Sequence, residues 1–219
     1  MKAKEKKKQR NKQVMTGILL LSLVFLMIGA SYAIFQFQQL GTKENTLKTG
    51  SLSFVYDEKA EAKNGVSITN AIPMSDEEGK NQTGDGNVFE FQVIASTKGA
   101  PIYYEIYAMK QSDSTMPEQI VKTYLTTVNG AAETAVTDPF NKQEVNLYSS
   151  LGNSNVPDQT GGKTLYQETI TEGEANYVKT FRYRMWIDAA ASGVEDGRWI
   201  YSGTSFTAKI NVHASNQEA

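Results

Sequence analysis

The 219-residue sequence contains no cysteine and only one histidine, His213. Without cysteine the chain has no thiol nucleophile, no disulfide and no cysteine-ligated zinc site. A single imidazole excludes metal sites built from several histidines, and it leaves one candidate base for a Ser-His-Asp triad. We therefore expect neither enzymatic activity nor a cofactor.

Proline is also scarce, with five residues, whereas the chain has 17 glycines, 11 tyrosines and nine phenylalanines. This balance favours strands and turns over a helical bundle. Hydrophobic residues make up 40% of the sequence, which is enough for the core of one globular domain.

Charge is distributed unevenly along the chain. Seven of the 22 basic residues and one of the 24 acidic residues lie in residues 1–13, which leaves 15 basic and 23 acidic residues in the remainder. An acidic body repels phosphate groups at long range. We therefore expect no nucleic-acid partner.

Residues 14–35 form an uncharged, largely apolar run that directly follows the basic segment. Twenty-two helical residues at 1.5 Å each span about 33 Å, the thickness of a bilayer core. The preceding positive charges orient the N-terminus towards the cytoplasm and the rest of the chain outward. Small residues at Ser31 and Ala33 predict signal cleavage between Ala33 and Ile34, and a retained membrane anchor is the alternative.

The remainder of the chain shows the period-two alternation of β-strands. The predicted strands cover residues 51–57, 66–69, 88–96, 102–110, 122–128, 164–171, 177–188 and 204–214. Strands with one apolar face must bury those faces against each other, so we predict an all-β, two-sheet, jelly-roll-like sandwich. The predicted organisation is a signal or anchor in residues 1–33, an N-terminal segment in 34–50 and the sandwich in 51–219.

Two stretches near the N-terminus carry a resemblance to a known family. Residues 29–35 read Gly-Ala-Ser-Tyr-Ala-Ile-Phe, and residues 45–54 read Asn-Thr-Leu-Lys-Thr-Gly-Ser-Leu-Ser-Phe. Residues 14–56 thereby resemble the start of the TasA and camelysin family of Gram-positive exported proteins. The resemblance implies a signal cleaved by a SipW-type peptidase and a jelly-roll subunit that polymerises into biofilm-matrix fibres.

The segment that follows the predicted cleavage site has the pattern of a strand that one subunit lends to another. Phe35 and Phe37 alternate with glutamines and precede Leu40. Such a segment can add to an open sheet edge, with backbone hydrogen bonds for affinity and apolar pockets for register. Two alternatives remain open: the segment pairs within its own subunit, or it ends an uncleaved membrane helix.

Three further patterns have structural rather than functional interpretations. Asp76, Glu78 and Asp85 are weak calcium candidates, but their spacing does not match an EF-hand, and a solvated acidic turn is favoured. In the strand around residues 181–186, Arg182 and Arg184 are expected to pair with surface acids. His213 lies on the polar face of the last strand, and we expect it to be exposed.

The sequence thus predicts an exported structural subunit of an extracellular fibre or biofilm matrix. Its expected partners are further copies of itself, a SipW-type signal peptidase, an assembly helper and the membrane during export. The alternative is a monomeric adhesin or binding module that a membrane helix holds at the cell surface.

Overall fold

The computed structural model describes residues 37–40, 45–49, 52–58, 66–69, 72–83, 88–97, 100–156, 160–191, 193–195 and 198–215. The strands, in chain order, are β1 (Phe37–Leu40), β2 (Asn45–Thr49), β3 (Leu52–Glu58), β4 (Val66–Thr69), β5 (Val88–Ser96), β6 (Ile102–Lys110), β7 (Val121–Asn129), β8 (Ala132–Ala135), β9 (Val145–Leu147), β10 (Gly152–Asn153), β11 (Gly162–Ile170), β12 (Tyr177–Ile187), β13 (Val194–Glu195), β14 (Arg198–Trp199) and β15 (Ser205–Ser215). In these ranges the helical elements are α1 (Asp76–Lys80) and 3-10 turns at Glu118–Ile120 and Tyr148–Ser150.

The strands form two antiparallel sheets. In the first sheet the order is β1, β15, β6, β11 and β10, and β4 also pairs with β15. In the second sheet the order is β2, β3, β5, β12, β7 and β8, and β9 also pairs with β7. β13 and β14 form a separate two-stranded pair. The structure therefore confirms an all-β, sandwich-like fold for the described residues.

The apolar faces of the two sheets meet in one hydrophobic cluster. Phe91 and Phe181 of the second sheet stack with ring centroids 5.2 Å apart, and Tyr166 of the first sheet meets Phe181 edge-on at 5.2 Å. Phe206 of β15 contacts Tyr148 in the same edge-on way. Each fully buried phenylalanine stabilises the fold by about 2–3 kcal/mol relative to exposure. Aromatic side chains therefore pack within the second sheet, between the two sheets and against the 3-10 turn at Tyr148–Ser150.

Several predicted strands agree closely with the observed ones. Val66–Thr69, Val88–Ser96 and Ile102–Lys110 match their predicted bounds, and β12 differs by one residue at its end. Directly after Pro117, residues Glu118–Ile120 form a 3-10 turn. No helix in the described ranges exceeds five residues, which agrees with the absence of sustained helical periodicity.

Helix α1 lies in a stretch that the sequence predicts to be a turn. Ser75 caps it, since the Ser75 hydroxyl accepts from the Glu78 amide and the Glu78 carboxylate accepts from the Ser75 amide. Gly79 packs directly on the indole of Trp186, and a Cβ at this position would lie 2.2 Å from a ring carbon. Glycine is therefore required here because the helix covers a buried tryptophan on the outer face of β12.

Candidate functional site

The edge of β15 is covered by two short strands placed end to end. β4 pairs with its first part, where Thr69 is opposite Ser205 and Val66 is opposite Ala208. β1 pairs with its last part, from Leu40 opposite Asn211 to Phe37 opposite Ala214. β1 is thus a four-residue edge strand that closes one half of a much longer strand.

The predicted assembly residues fall at this edge, in part. Phe37 and Leu40 are the first and last residues of β1. Phe35 and the predicted cleavage pair, Ala33 and Ile34, lie outside the described residues. In the structure β1 pairs with β15 of its own chain, which is one of the alternatives that the sequence left open.

Beside β1, the face of the first sheet that points away from the core carries a row of buried polar residues. His213 of β15 is opposite Glu105 of β6, and Asn211 is opposite Tyr107. Glu105, Tyr107 and Asn211 are fully buried, and His213 is 4% exposed. The prediction that His213 is exposed is therefore wrong, because β6 and this half of β15 are buried on both faces.

Glu105 has one partner on β11 and one in the loop after β10. Its carboxylate accepts hydrogen bonds from the Thr164 hydroxyl and, at 3.3 Å, from the backbone amide of Asn155. Burial raises the pKa of Glu105, and the hydrogen bonds from Thr164 and Asn155 oppose that rise.

Asn211 and His213 have no such partners. Neither the amide nitrogen nor the amide oxygen of Asn211 has a hydrogen-bond partner, and Nε2 of His213 has none either, within the part of the chain that is described. Burial lowers the pKa of His213, so the neutral imidazole is favoured. We call Asn211 and His213 the amide–imidazole row.

A second polar cluster lies between the two sheets. One carboxylate oxygen of Glu168 accepts from the hydroxyls of Tyr104, Tyr166 and Tyr177 at 2.6, 2.8 and 2.5 Å. The Lys179 ammonium donates to the same oxygen at 2.7 Å. Because β6 and β11 belong to the first sheet and β12 to the second, these five residues join the sheets, and we call them the inter-sheet clamp.

The ionisation of the clamp follows from its contacts. Burial alone would raise the pKa of Glu168, but the hydrogen bonds from Lys179 and the tyrosines outweigh it and the pKa is lowered. Burial would likewise lower the pKa of Lys179, yet its bonds to Glu168 and Tyr166 raise it. The clamp is therefore a charged pair at neutral pH, surrounded by protonated phenols.

On the outer face of the second sheet the arginines of β12 are paired, as predicted. Arg182 donates to Glu90 at 2.8 Å, and Arg184 makes two bonds to Glu133 at 2.8 and 3.0 Å. The Arg184 guanidinium lowers the pKa of Glu133 to about 2, with further bonds from Thr126 and Arg182. This face carries an ion-pair network that includes Arg182, Arg184, Glu90 and Glu133.

The calcium candidates are engaged in contacts within the chain. The Asp76 carboxylate accepts from Lys122 at 2.7 Å, and Glu78 belongs to the cap of α1. Asp85 lies outside the described residues. Within the residues that can be placed, no group of three or more acidic or imidazole side chains is arranged to hold a metal ion.

Sequence reasoning missed both polar clusters. Glu168 and Lys179 were assigned to strands, but nothing local indicates that they meet across the sandwich. The amide–imidazole row looked like an ordinary polar face, since alternation reveals which residues share a face and not what covers that face. The alternation of Asn211 and His213 with buried Ile210 and Val212 was the only available signal.

Comparisons with known proteins assign no family to this chain. No protein-family model matches it, and no curated protein is significantly similar to it. Among the helices that are described, none is long and apolar enough to cross a membrane. The predicted apolar segment, residues 14–35, falls outside the described ranges.

Proposed function

We propose that this chain is an exported structural subunit of an extracellular fibre or biofilm matrix, and that subunits assemble when each lends its N-terminal strand to a neighbour. The proposal rests on the resemblance of residues 14–56 to the TasA and camelysin family and on one structural observation. That observation is the position of β1, a short edge strand that closes half of β15.

The position of β1 makes exchange between subunits feasible. Its antiparallel bonds to residues 211–214 can be formed equally well by the same strand of another copy. A strand that leaves one subunit and pairs with the next makes a contact between different surfaces, and such a contact can repeat without closing. Exchange of β1 therefore generates a filament without requiring a new interface.

Apolar residues of the donor strand supply part of the affinity. Each phenylalanine that docks in an apolar groove buries roughly 150–200 Å² and contributes about 2–3 kcal/mol. Phe35 and Phe37 together would thus account for three or more decades of subunit affinity at about 1.4 kcal/mol per decade.

The rest of the proposal follows the sequence. A SipW-type peptidase would cleave after Ala33, the membrane would be crossed during export, and an assembly helper would nucleate the fibre. The sandwich would have jelly-roll connectivity. Because the chain lacks cysteine, an exported subunit of this kind would be stabilised by its core and by its neighbours.

A second candidate is a monomeric adhesin or binding module that a retained helix holds at the cell surface. The observation that favours it is the pairing of β1 with β15 of the same chain. In that case residues 14–35 would stay attached, and β1 would simply close the sheet.

Mass spectrometry and electron microscopy of protein recovered from the cell surface separate the two candidates. The fibre proposal expects a mature N-terminus at Ile34 and filaments that disappear in the Phe35→Ser/Phe37→Ser variant while the monomer stays folded. Ile72→Ser is the matched control, since Ile72 is 80% exposed and lies outside β1. A retained N-terminus, or normal filaments from the double variant, would reject the proposal.

A further inference from the structure

Two tyrosines of the inter-sheet clamp, Tyr104 and Tyr177, place their hydroxyl groups against each other. The two phenolic oxygens are 2.7 Å apart, and the rings meet edge-on with centroids 6.2 Å apart. Tyr104 lies on β6 of the first sheet, and Tyr177 is the first residue of β12 in the second. Because the ortho carbons of a phenol lie next to the carbon that bears its oxygen, the ortho carbons of the two rings are held near each other between the sheets.

Ortho carbons are the positions at which tyrosines couple when they are oxidised. Removal of one electron and one proton from a phenol gives a phenoxyl radical, whose unpaired electron is shared by the oxygen and the ortho and para carbons. Two such radicals combine through one ortho carbon of each ring and form dityrosine. The chain has no cysteine, so a disulfide cannot supply a covalent link between its sheets. A pair of adjoining tyrosines can.

Oxidation of a tyrosine at neutral pH requires that its phenolic proton leaves with the electron, and Glu168 is placed to accept that proton. One oxygen of Glu168 accepts hydrogen bonds from Tyr104 at 2.6 Å and from Tyr177 at 2.5 Å. The Glu168 side chain is 28% exposed, so a proton that it accepts can pass to solvent. These short, charge-assisted hydrogen bonds therefore favour loss of an electron from either ring.

Lys179 disfavours the same reaction at the third tyrosine of the clamp, Tyr166. The Lys179 ammonium donates to the Tyr166 hydroxyl at 2.7 Å and lies 5.1 Å from its ring centroid, whereas it lies 6.0 Å from that of Tyr177. A nearby positive charge opposes the removal of an electron from a ring. Tyr177 is half-buried and follows the exposed residues 171–176, so an oxidant can reach it and the strand end can shift towards Tyr104.

We propose that Tyr104 and Tyr177 are a site of oxidative modification, at which a peroxidase with hydrogen peroxide joins the two sheets through a dityrosine bond. Each phenol loses one electron and, through Glu168, one proton. The two radicals form a carbon–carbon bond, and the hydrogen on each joined carbon returns to the phenolic oxygen. Hydrogen peroxide takes up both electrons and both protons and leaves as water. Because both tyrosines belong to one chain, the bond forms whether or not subunits associate.

Limited treatment of the full chain with a haem peroxidase and hydrogen peroxide tests the site. We expect dityrosine fluorescence from protein that remains monomeric on a denaturing gel, and a peptide pair linked through Tyr104 and Tyr177 whose mass is lower by two hydrogens. The link should be lost in Tyr177→Phe and retained in Tyr166→Phe, the matched control that contacts the same carboxylate. Both variants keep the ion pair of Glu168 and Lys179, and circular dichroism checks that each is folded.

The position and the yield of the link decide the outcome. Glu168→Gln removes the proton acceptor and should lower the yield, and an unchanged yield would overturn the proton transfer to Glu168. The linked chain should also unfold at a higher temperature, because the bond joins residues 73 positions apart. A link between Tyr104 and Tyr166, links spread over partly exposed tyrosines such as Tyr124 and Tyr201, or no dityrosine at all would each overturn the site.

Discussion

The inter-sheet clamp is a half-buried polar cluster and the amide–imidazole row a buried one, and the two differ in completeness. In the clamp, Glu168 accepts four hydrogen bonds, from Lys179 and from three tyrosines. In the row, Asn211 and Nε2 of His213 have no partner within the described ranges. The complete network joins the two sheets of one chain, whereas the incomplete one leaves buried polar atoms without hydrogen bonds.

The two clusters also differ in where they lie. The clamp joins two strands from the first sheet, β6 and β11, to β12 of the second, so both layers must separate before it breaks. The row lies on β15, beside the four-residue edge strand β1. The clamp therefore lies between the two sheets, whereas the row lies next to an edge of one sheet.

The largest effect is expected from removal of the clamp carboxylate. Glu168→Ala leaves the Lys179 ammonium and three phenols without their shared acceptor, and it should lower the free energy of unfolding by about 2–4 kcal/mol. Urea unfolding followed by tryptophan fluorescence measures the loss. Glu172→Ala, at an exposed position just beyond the same strand, should change stability by less than about 0.5 kcal/mol.

Smaller changes in stability, of opposite sign, are expected when two buried asparagines are replaced by leucine. Asn146 donates to the backbone oxygen of Gln143 at 3.0 Å, so Asn146→Leu should destabilise the chain by about 1–2 kcal/mol. Asn211→Leu removes two unsatisfied atoms and should leave the melting temperature of the monomer unchanged or raise it. Equal losses for both variants would show that Asn211 already has a partner inside its own subunit.

The smallest effect is expected in the pH dependence of folding stability that arises from His213 and from Glu105, the residue opposite it on β6. The folded pKa of His213 lies below its ordinary value of 6.5, so the unfolded state binds the proton more readily. The stability from neutral His213 is full above about pH 6.5 and is lost as the pH falls. Glu105, whose folded pKa is raised above 4.5, contributes with the opposite sign, because its stability is lost as the pH rises.

Paired variants separate these two contributions. Unfolding free energies between pH 7 and pH 5 should show that His213→Gln loses part of the acid sensitivity of the unaltered chain. Glu105→Gln should increase that sensitivity instead. Parallel pH profiles for all three proteins would contradict a lowered pKa of His213 and a raised pKa of Glu105.

Local alternation predicted the long strands well, because each has one face in the core. Val88–Ser96 places Phe89, Phe91 and Val93 inward, as its pattern requires. β8, with the sequence Ala-Glu-Thr-Ala, has no apolar face and was missed. Its pairing depends on the hairpin turn at Gly130, which has a positive φ of 61°.

The outer faces of the sheets could not be predicted, since burial there depends on distant parts of the chain. Trp186 lies on the same outer face of β12 as Arg182 and Arg184, yet it is fully buried because Gly79 of α1 packs on its indole. His213 is buried although it alternates with core residues. The sequence pattern indicated a strand that contains Phe37 and Leu40, and the structure has β1 there, but the pattern did not indicate the polar row beside it.

Disulfide trapping tests most directly whether β1 pairs between subunits. The chain has no cysteine, and Gln39 is directly opposite Val212, a spacing of about 4.5–5.5 Å between Cα atoms that a disulfide can bridge. Gln39→Cys and Val212→Cys are placed on separate chains, which are mixed, assembled and oxidised. Strand donation predicts covalent dimers in the mixture that neither variant forms alone, and a longer covalent ladder when both changes are on one chain. Only monomers with an internal disulfide in the doubly substituted chain, and no dimers in the mixture, would contradict it.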